Sequence, residues 1–138
     1  MDSKNEIYSV SKWLVTTIGT LSSTVSGAYM GLIPEDKALP AVRFHVQDTP
    51  QDTRVIGETR ILVTIDWLIV VVNLGLLVSP LITPVNNLDA ALHGASGTQD
   101  SLKIDCTRLQ PFEMLEPDDS GVQYRHAGGI YRTIVAKA

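Results

Sequence analysis

Cysteine is almost missing from this chain: Cys106 stands alone, which rules out an internal disulfide and any thiolate cluster for a metal. Aromatic residues make up only 6%, and they do not alternate with Lys and Arg along any one segment, so a base-stacking platform for nucleic acid is not written here. Positive charge is in short supply as well. Lys and Arg total 11 against 15 Asp and Glu, a formal net charge of −4, so there is no global field to gather DNA by displacing counterions. Nor is there a long uncharged apolar run. The most apolar stretch, "RILVTIDWLIVVVNLGLLV" at 60–78, has Asp66 near the centre of its strongest part, where a lipid span tolerates a carboxylate poorly. The opening "MDSKNEIYSV" shows neither a basic region followed by an apolar core nor a lipidation pattern, so a cytoplasmic or intracellularly assembled protein is expected.

What is present suits one globular domain over 1–138. Hydrophobic residues are 44% and charged residues 19%, too apolar for a disordered chain. Ile7, Val10, Leu14, Ile18, Leu21 and Val25 recur every three or four positions and predict one amphipathic helix over 3–26. Ser3 and Glu6 sit at capping-box spacing, and Gly27 is placed as a C-cap. The C-terminal half of that helix, "TTIGTLSSTVS", has poor propensity and must lean on packing. Pro34 and Pro40 bracket an exposed turn. Val42, Phe44 and Val46 then alternate with Arg43, His45 and Gln47 as in a half-buried strand.

The 60–78 stretch reads as a long strand for the same reason. Ile61, Val63, Ile65, Trp67, Ile69 and Val71 share one apolar face, expected to lie under the first helix. The other face turns apolar from Leu68 onward and must be covered by the same chain or by a neighbouring copy. Between the two strands, 49–59 is expected to be an exposed loop and a candidate contact arm. Further on, Thr83 is placed as an N-cap with Pro84 at the first helical position. Val85, Leu88 and Leu92 give helical spacing and Gly94 can close a short second helix. After a flexible "GASGTQD", strand-like alternation of Leu102, Ile104 and Cys106 follows, then a turn at "PDDSGV", a strand edge "QYRHAGG" and a final strand "IYRTIVAKA".

Chemistry is hard to find. His45, His93 and His126 lie far apart with no metal-ligand spacing, and Asp118 to Ser120 followed by His126 lacks a nucleophile elbow. Gly128 and Gly129 lack the Gly-Lys-Ser/Thr ending of a phosphate loop and fit a bulge or tight bend. No enzyme, metal or cofactor is expected.

Two segments together, "ALPAVRFHV" and "CTRLQPFEMLEPDDSGVQYRHAGGIYRTIVAKA", resemble the tail terminator, or tail-completion, proteins of tailed bacteriophages, and the order of elements fits that family over essentially the whole chain. The resemblance implies an α+β fold: a twisted antiparallel β-sheet with a long N-terminal helix and a short second helix packed on it. It further implies a homohexameric ring that caps the major tail tube protein, ends tube polymerisation and joins the head-connector or neck proteins. DNA would meet the ring only in transit, through a lumen to which the acidic balance is suited. The expected location is the neck of the virion, after assembly in the host cytoplasm, with no membrane contact. Contact residues expected on this reading are Arg54, Val55 and Ile56 of the 49–59 arm, Asp66 of the long strand, and Arg125, His126, Tyr131 and Arg132 in the segment that carries most of the resemblance. The alternatives are a head-closure or neck protein of the same virion, or a small α+β module that binds as a dimer.

Overall fold

The computed structural model describes residues 3–34, 36–47, 51–54, 60–75, 79–117 and 123–137. The elements run α1 (Ser3–Gly19), β1 (Ala28–Met30), β2 (Ala41–Val46), β3 (Gln51–Arg54), β4 (Arg60–Leu74), α2 (Ser79–Leu92), β5 (Ser96–Gln99), β6 (Leu102–Pro117) and β7 (Gln123–Lys137). All seven strands join one sheet in the order β1-β2-β4-β7-β6-β5, with β3 paired to the first part of β4. This is the α+β fold expected, with one addition: β1 runs parallel to β2, whereas every other pair is antiparallel. Helix α1 touches both β1 and β5, the first and last strands of the order, so the sheet curls around it.

The long β4 strand organises the core. Val63, Ile65, Trp67, Ile69 and Val71 are completely buried on one face, beneath Val10, Leu14 and Ile18 of α1 and Leu81, Leu88 and Leu92 of α2. Each such side chain taken from water contributes roughly 1.5–3 kcal/mol, which is why the period-two alternation decides the fold of this stretch. On the other face, Leu68, Val70 and Val72 form a second cluster. Ile33, Phe112, Tyr124 and Ile130 of the same chain pack on it, so no neighbouring copy is required to keep it dry.

Several boundaries differ from expectation. Helix α1 ends at Gly19 rather than at 26. Beyond it the Thr20 and Thr24 hydroxyls donate to the carbonyls of Thr17 and Leu21 at 2.7 and 3.2 Å, and the amides of Thr20, Leu21 and Thr24 reach back only three residues. Short polar side chains here compete for the helix's own acceptors, and the chain tightens into turns. Gly27 is therefore not a C-cap; its carbonyl accepts the amide of Val42 at 2.9 Å and leads into β1. Helix α2 begins at Ser79, so Thr83 is no N-cap. Pro80 occupies the first turn, where amides lack partners anyway, and Pro84 lies inside the helix, buried. Gly94 closes it as expected, with φ of 76°. Part of the 49–59 loop, 51–54, is the strand β3; the rest of that arm lies outside the described residues.

The segment read as flexible at 94–100 contains β5, joined to β6 by a two-residue turn. Asp100 and Ser101 both have positive φ there (53° and 63°), the geometry that matches the twist of a hairpin. Asp100 also fastens this hairpin to α1, accepting from Ser9 Oγ at 2.7 Å and pairing with Lys12 Nζ at 2.6 Å. These bonds, from Lys12 first and Ser9 second, hold its carboxyl below the usual carboxylate range. A carboxyl whose pKa is depressed on folding adds stability above its unfolded pKa, and that contribution is lost as pH falls through the folded value. Asp100→Asn is therefore expected to be less stable than wild type near neutrality, with the gap shrinking steadily below about pH 4. Thermal melts of both proteins across that range check it, and a gap that stays constant to acid pH would refute it.

"QYRHAGG" and "IYRTIVAKA" belong to a single strand, β7, which pairs with β4 from Leu62↔Ala136 to Leu74↔Tyr124 without interruption. The irregularity lies on the partner strand, between Arg108 and Gln110 of β6.

Candidate functional site

Most of the expected contact residues that the structure describes lie on β7, and the fold gives each a polar partner. Asp66 of β4 lies directly opposite Arg132 of β7, and the pair is bidentate: Arg132 Nε and Nη2 donate to Asp66 Oδ1 and Oδ2 at 2.9 and 3.1 Å. The Asp66 side chain is 18% exposed and that of Arg132 is 42% exposed, so the pair sits at the surface of the outer face, where solvent screens it. Asp66 is thus matched by Arg132 of the same chain. The exposed part of the Arg132 side chain remains open to solvent and available to a partner.

Tyr131 and His126 are placed differently. Tyr131 is 1% exposed and its hydroxyl donates to Asp89 Oδ1 of α2 at 3.0 Å; Arg108 Nη1 stands 3.6 Å from the same oxygen. Burial, and then the charge of Asp89, push the phenol's pKa well above its ordinary value, so it remains a hydrogen-bond donor. His126 is 3% exposed and accepts at Nδ1 from Arg43 Nε at 3.3 Å. Both side chains are enclosed within the chain itself. Arg125 Nη1 pairs with Glu113 Oε1 at 2.7 Å across the β6–β7 hairpin. The side chain of Arg54, and Val55 and Ile56 altogether, lie outside the described residues, as do Asp118 to Ser120.

The remaining reactive groups are scattered. His93, at the end of α2, accepts at Nδ1 from the Arg108 backbone amide at 3.0 Å, which places its neutral-form proton on Nε2. His45 on β2 has its pKa lowered by burial and then by the charge of Arg43. The Cys106 thiol is buried and its pKa is pushed up to about 12, so it supplies no thiolate near neutrality. Among the described residues no three His, Cys, Asp or Glu side chains converge as a metal site, and no helix is long and apolar enough to cross a membrane.

The sequence reading missed Asp89, Arg108 and Arg43. Asp89 carried a usable signal: it lies four residues after Val85 and three before Leu92, at the border of an apolar stripe, where a carboxylate calls for a partner. Arg108 and Arg43 carried none, because their partners come from elements far away in the chain.

Apolar side chains are also left in water, in separate places. Val15 of α1 and Met30 of β1 border one shallow hollow, with Leu32 following and 86% exposed. Ile82 of α2 and Leu109 at the β6 irregularity are 53% and 44% exposed and belong to other elements. No protein-family model, no curated protein and no solved structure matches the chain.

Proposed function

We propose that this chain is a structural virion protein of the tail terminator kind, six copies of which form a ring that caps the tail tube and presents a joint to the head connector. The observation that carries the reading is that large apolar side chains stay exposed at unlike places on the chain, Val15 and Met30 at one hollow and Ile82 and Leu109 on other elements. A cyclic ring uses heterologous contacts, in which one patch of each subunit meets a different patch of the next. The architecture agrees with the resemblance: a long helix cradled by a curled sheet, then a second helix and a closing pair of long antiparallel strands. The job needs shape and contact rather than bond making, and the polar groups along β7 serve to bind strands and helices to one another. Leu68, Val70 and Val72 on the outer face of β4 already pack against the same chain; the Arg54–Ile56 arm and Arg132 remain the contact residues proposed.

Native mass spectrometry of the purified protein, alone and mixed with tail tubes, tests this, followed by negative-stain imaging. The expected result is a six-fold species with an open lumen, either preformed or appearing on tube ends. A dimer that stays dimeric in the presence of tubes would overturn the proposal in favour of a small dimeric binding module.

A further inference from the structure

A cleft of about 600 Å³ opens on the outer face of the sheet, away from both helices. Leu32 and Ile33, in the segment after β1, form one side of it, and Val72, Met114 and Tyr124 of the long strands form the other. Arg43 and His126 line it too. This is a mostly apolar concavity with a few converging polar groups, of a size suited to a small molecule.

Arg43 makes it more than a gap. It lies on β2 opposite Val70, half-buried, and its Nε donates to His126 Nδ1. An imidazole that accepts at Nδ1 is neutral, so this bond orients the guanidinium without cancelling its charge. None of the described carboxylates pairs with Arg43. The effect reaches His45, two residues along the same strand, where the charge of Arg43 adds to burial in lowering the pKa. With Nε committed, the Nη1 and Nη2 edge of the fork remains, which matches the two oxygens of a carboxylate. Among the described lining residues Arg43 is the one fixed positive charge, and set among apolar walls it suits a monoanion with an apolar body and disfavours a strongly hydrated phosphate.

We infer that this cleft binds a small monocarboxylic acid, its carboxylate on Arg43 and its aliphatic or aromatic body against Leu32, Ile33 and Val72. The inference does not depend on ring formation.

Calorimetric titration of the full chain with octanoate below its micelle concentration, alongside 1-octanol and inorganic phosphate, provides the test. Octanoate is expected to bind at least about tenfold more tightly than either comparison compound, with amide NMR shifts at Val72 and His126. Arg43→Met is expected to cost at least about tenfold in octanoate affinity. Should that variant fail to fold, Leu32→Asp serves: the side chain is 86% exposed, and a carboxylate at the mouth is expected to repel octanoate with a loss of similar size. Equal binding of octanoate and octanol, or affinity unchanged in the folded variants, would overturn the inference. Binding of the blocked tripeptide Leu-Asp-Leu where octanoate fails would also overturn it, in favour of a protein side chain as the occupant.

Discussion

Among the described glycines, Gly128→Ala is expected to be the most damaging substitution. A Cβ built at Gly128 would overlap the carbonyl oxygen of Ile69 and stand 2.8 Å from the Cα of Val70. Both are backbone atoms of β4, the central strand, and neither can swing aside as the end of a side chain would. Relief requires β4 and β7 to part where Val70 faces Gly128, in the middle of their shared ladder. A loss of at least about 4 kcal/mol is expected, a large share of the roughly 5–15 kcal/mol that holds a domain of this kind together. Denaturant titration reads it directly as a collapse of the midpoint. The control is Gly19→Ala at the end of α1, where an added Cβ meets nothing within 4 Å and stability is expected to rise by about 0.5 kcal/mol. If the two substitutions behaved alike, close backbone approach would not be the reason for glycine at 128.

The second large effect concerns a buried polar relay. Trp67 Nε1 donates to Thr133 Oγ1 at 2.9 Å, and that hydroxyl in turn donates to the carbonyl of Ile65 at 3.1 Å. Trp67 and Thr133 are both completely buried. Thr133→Val keeps the shape and removes the acceptor, leaving an indole N–H in an apolar interior without a partner. That costs about 2 kcal/mol, or a fall in melting temperature of roughly 5–10 °C for a chain of this size. Thr133→Ser retains the hydroxyl and loses only a methyl group, about 1 kcal/mol. Removing the donor as well, in Trp67→Phe with Thr133→Val, is expected to cost less than the two single changes added together, since neither partner is then left unsatisfied. A Thr133→Val protein as stable as wild type would mean that the indole finds another acceptor.

The strand core was legible in the sequence because one simple rule governs it. Val63, Ile65, Trp67, Ile69 and Val71 hold every second position along the strand, and burying them outweighs local preference. The helix boundaries were less legible, since they hinge on competition between side-chain hydroxyls and backbone acceptors around Thr20 and Thr24. Apolar periodicity continued through Leu21 and Val25 even though the helix did not. The short strands β1 and β5 left almost no mark. Three or four residues cannot show a period, and the turn at Asp100 and Ser101 lacks the glycine that commonly announces a hairpin. The glycine pair at 128 and 129 fits a bulge or tight bend by sequence, whereas the register irregularity falls on β6, between Arg108 and Gln110. Among the expected contact residues, Asp66 and Arg132 had charges and a face that could be read. Tyr131 and His126 fit strand packing or contact equally by sequence, because nothing along the chain reveals that α2 and β2 supply partners for them.

The ladder between β4 and β7 has a consequence for how the chain is made. Trp67 meets Tyr131, so the partner of the central strand leaves the ribosome ~60 residues later, several seconds behind at ordinary rates of synthesis. During that interval β4 has one completed edge at most, on the side of β2 and β3, and although α1 is already there for its inner face, its other edge waits for β7 and its outer face for Phe112, Tyr124 and Ile130. Productive folding is therefore a late event dominated by a distant pairing, and the nascent chain is a substrate for chaperones or for aggregation until its last strand arrives.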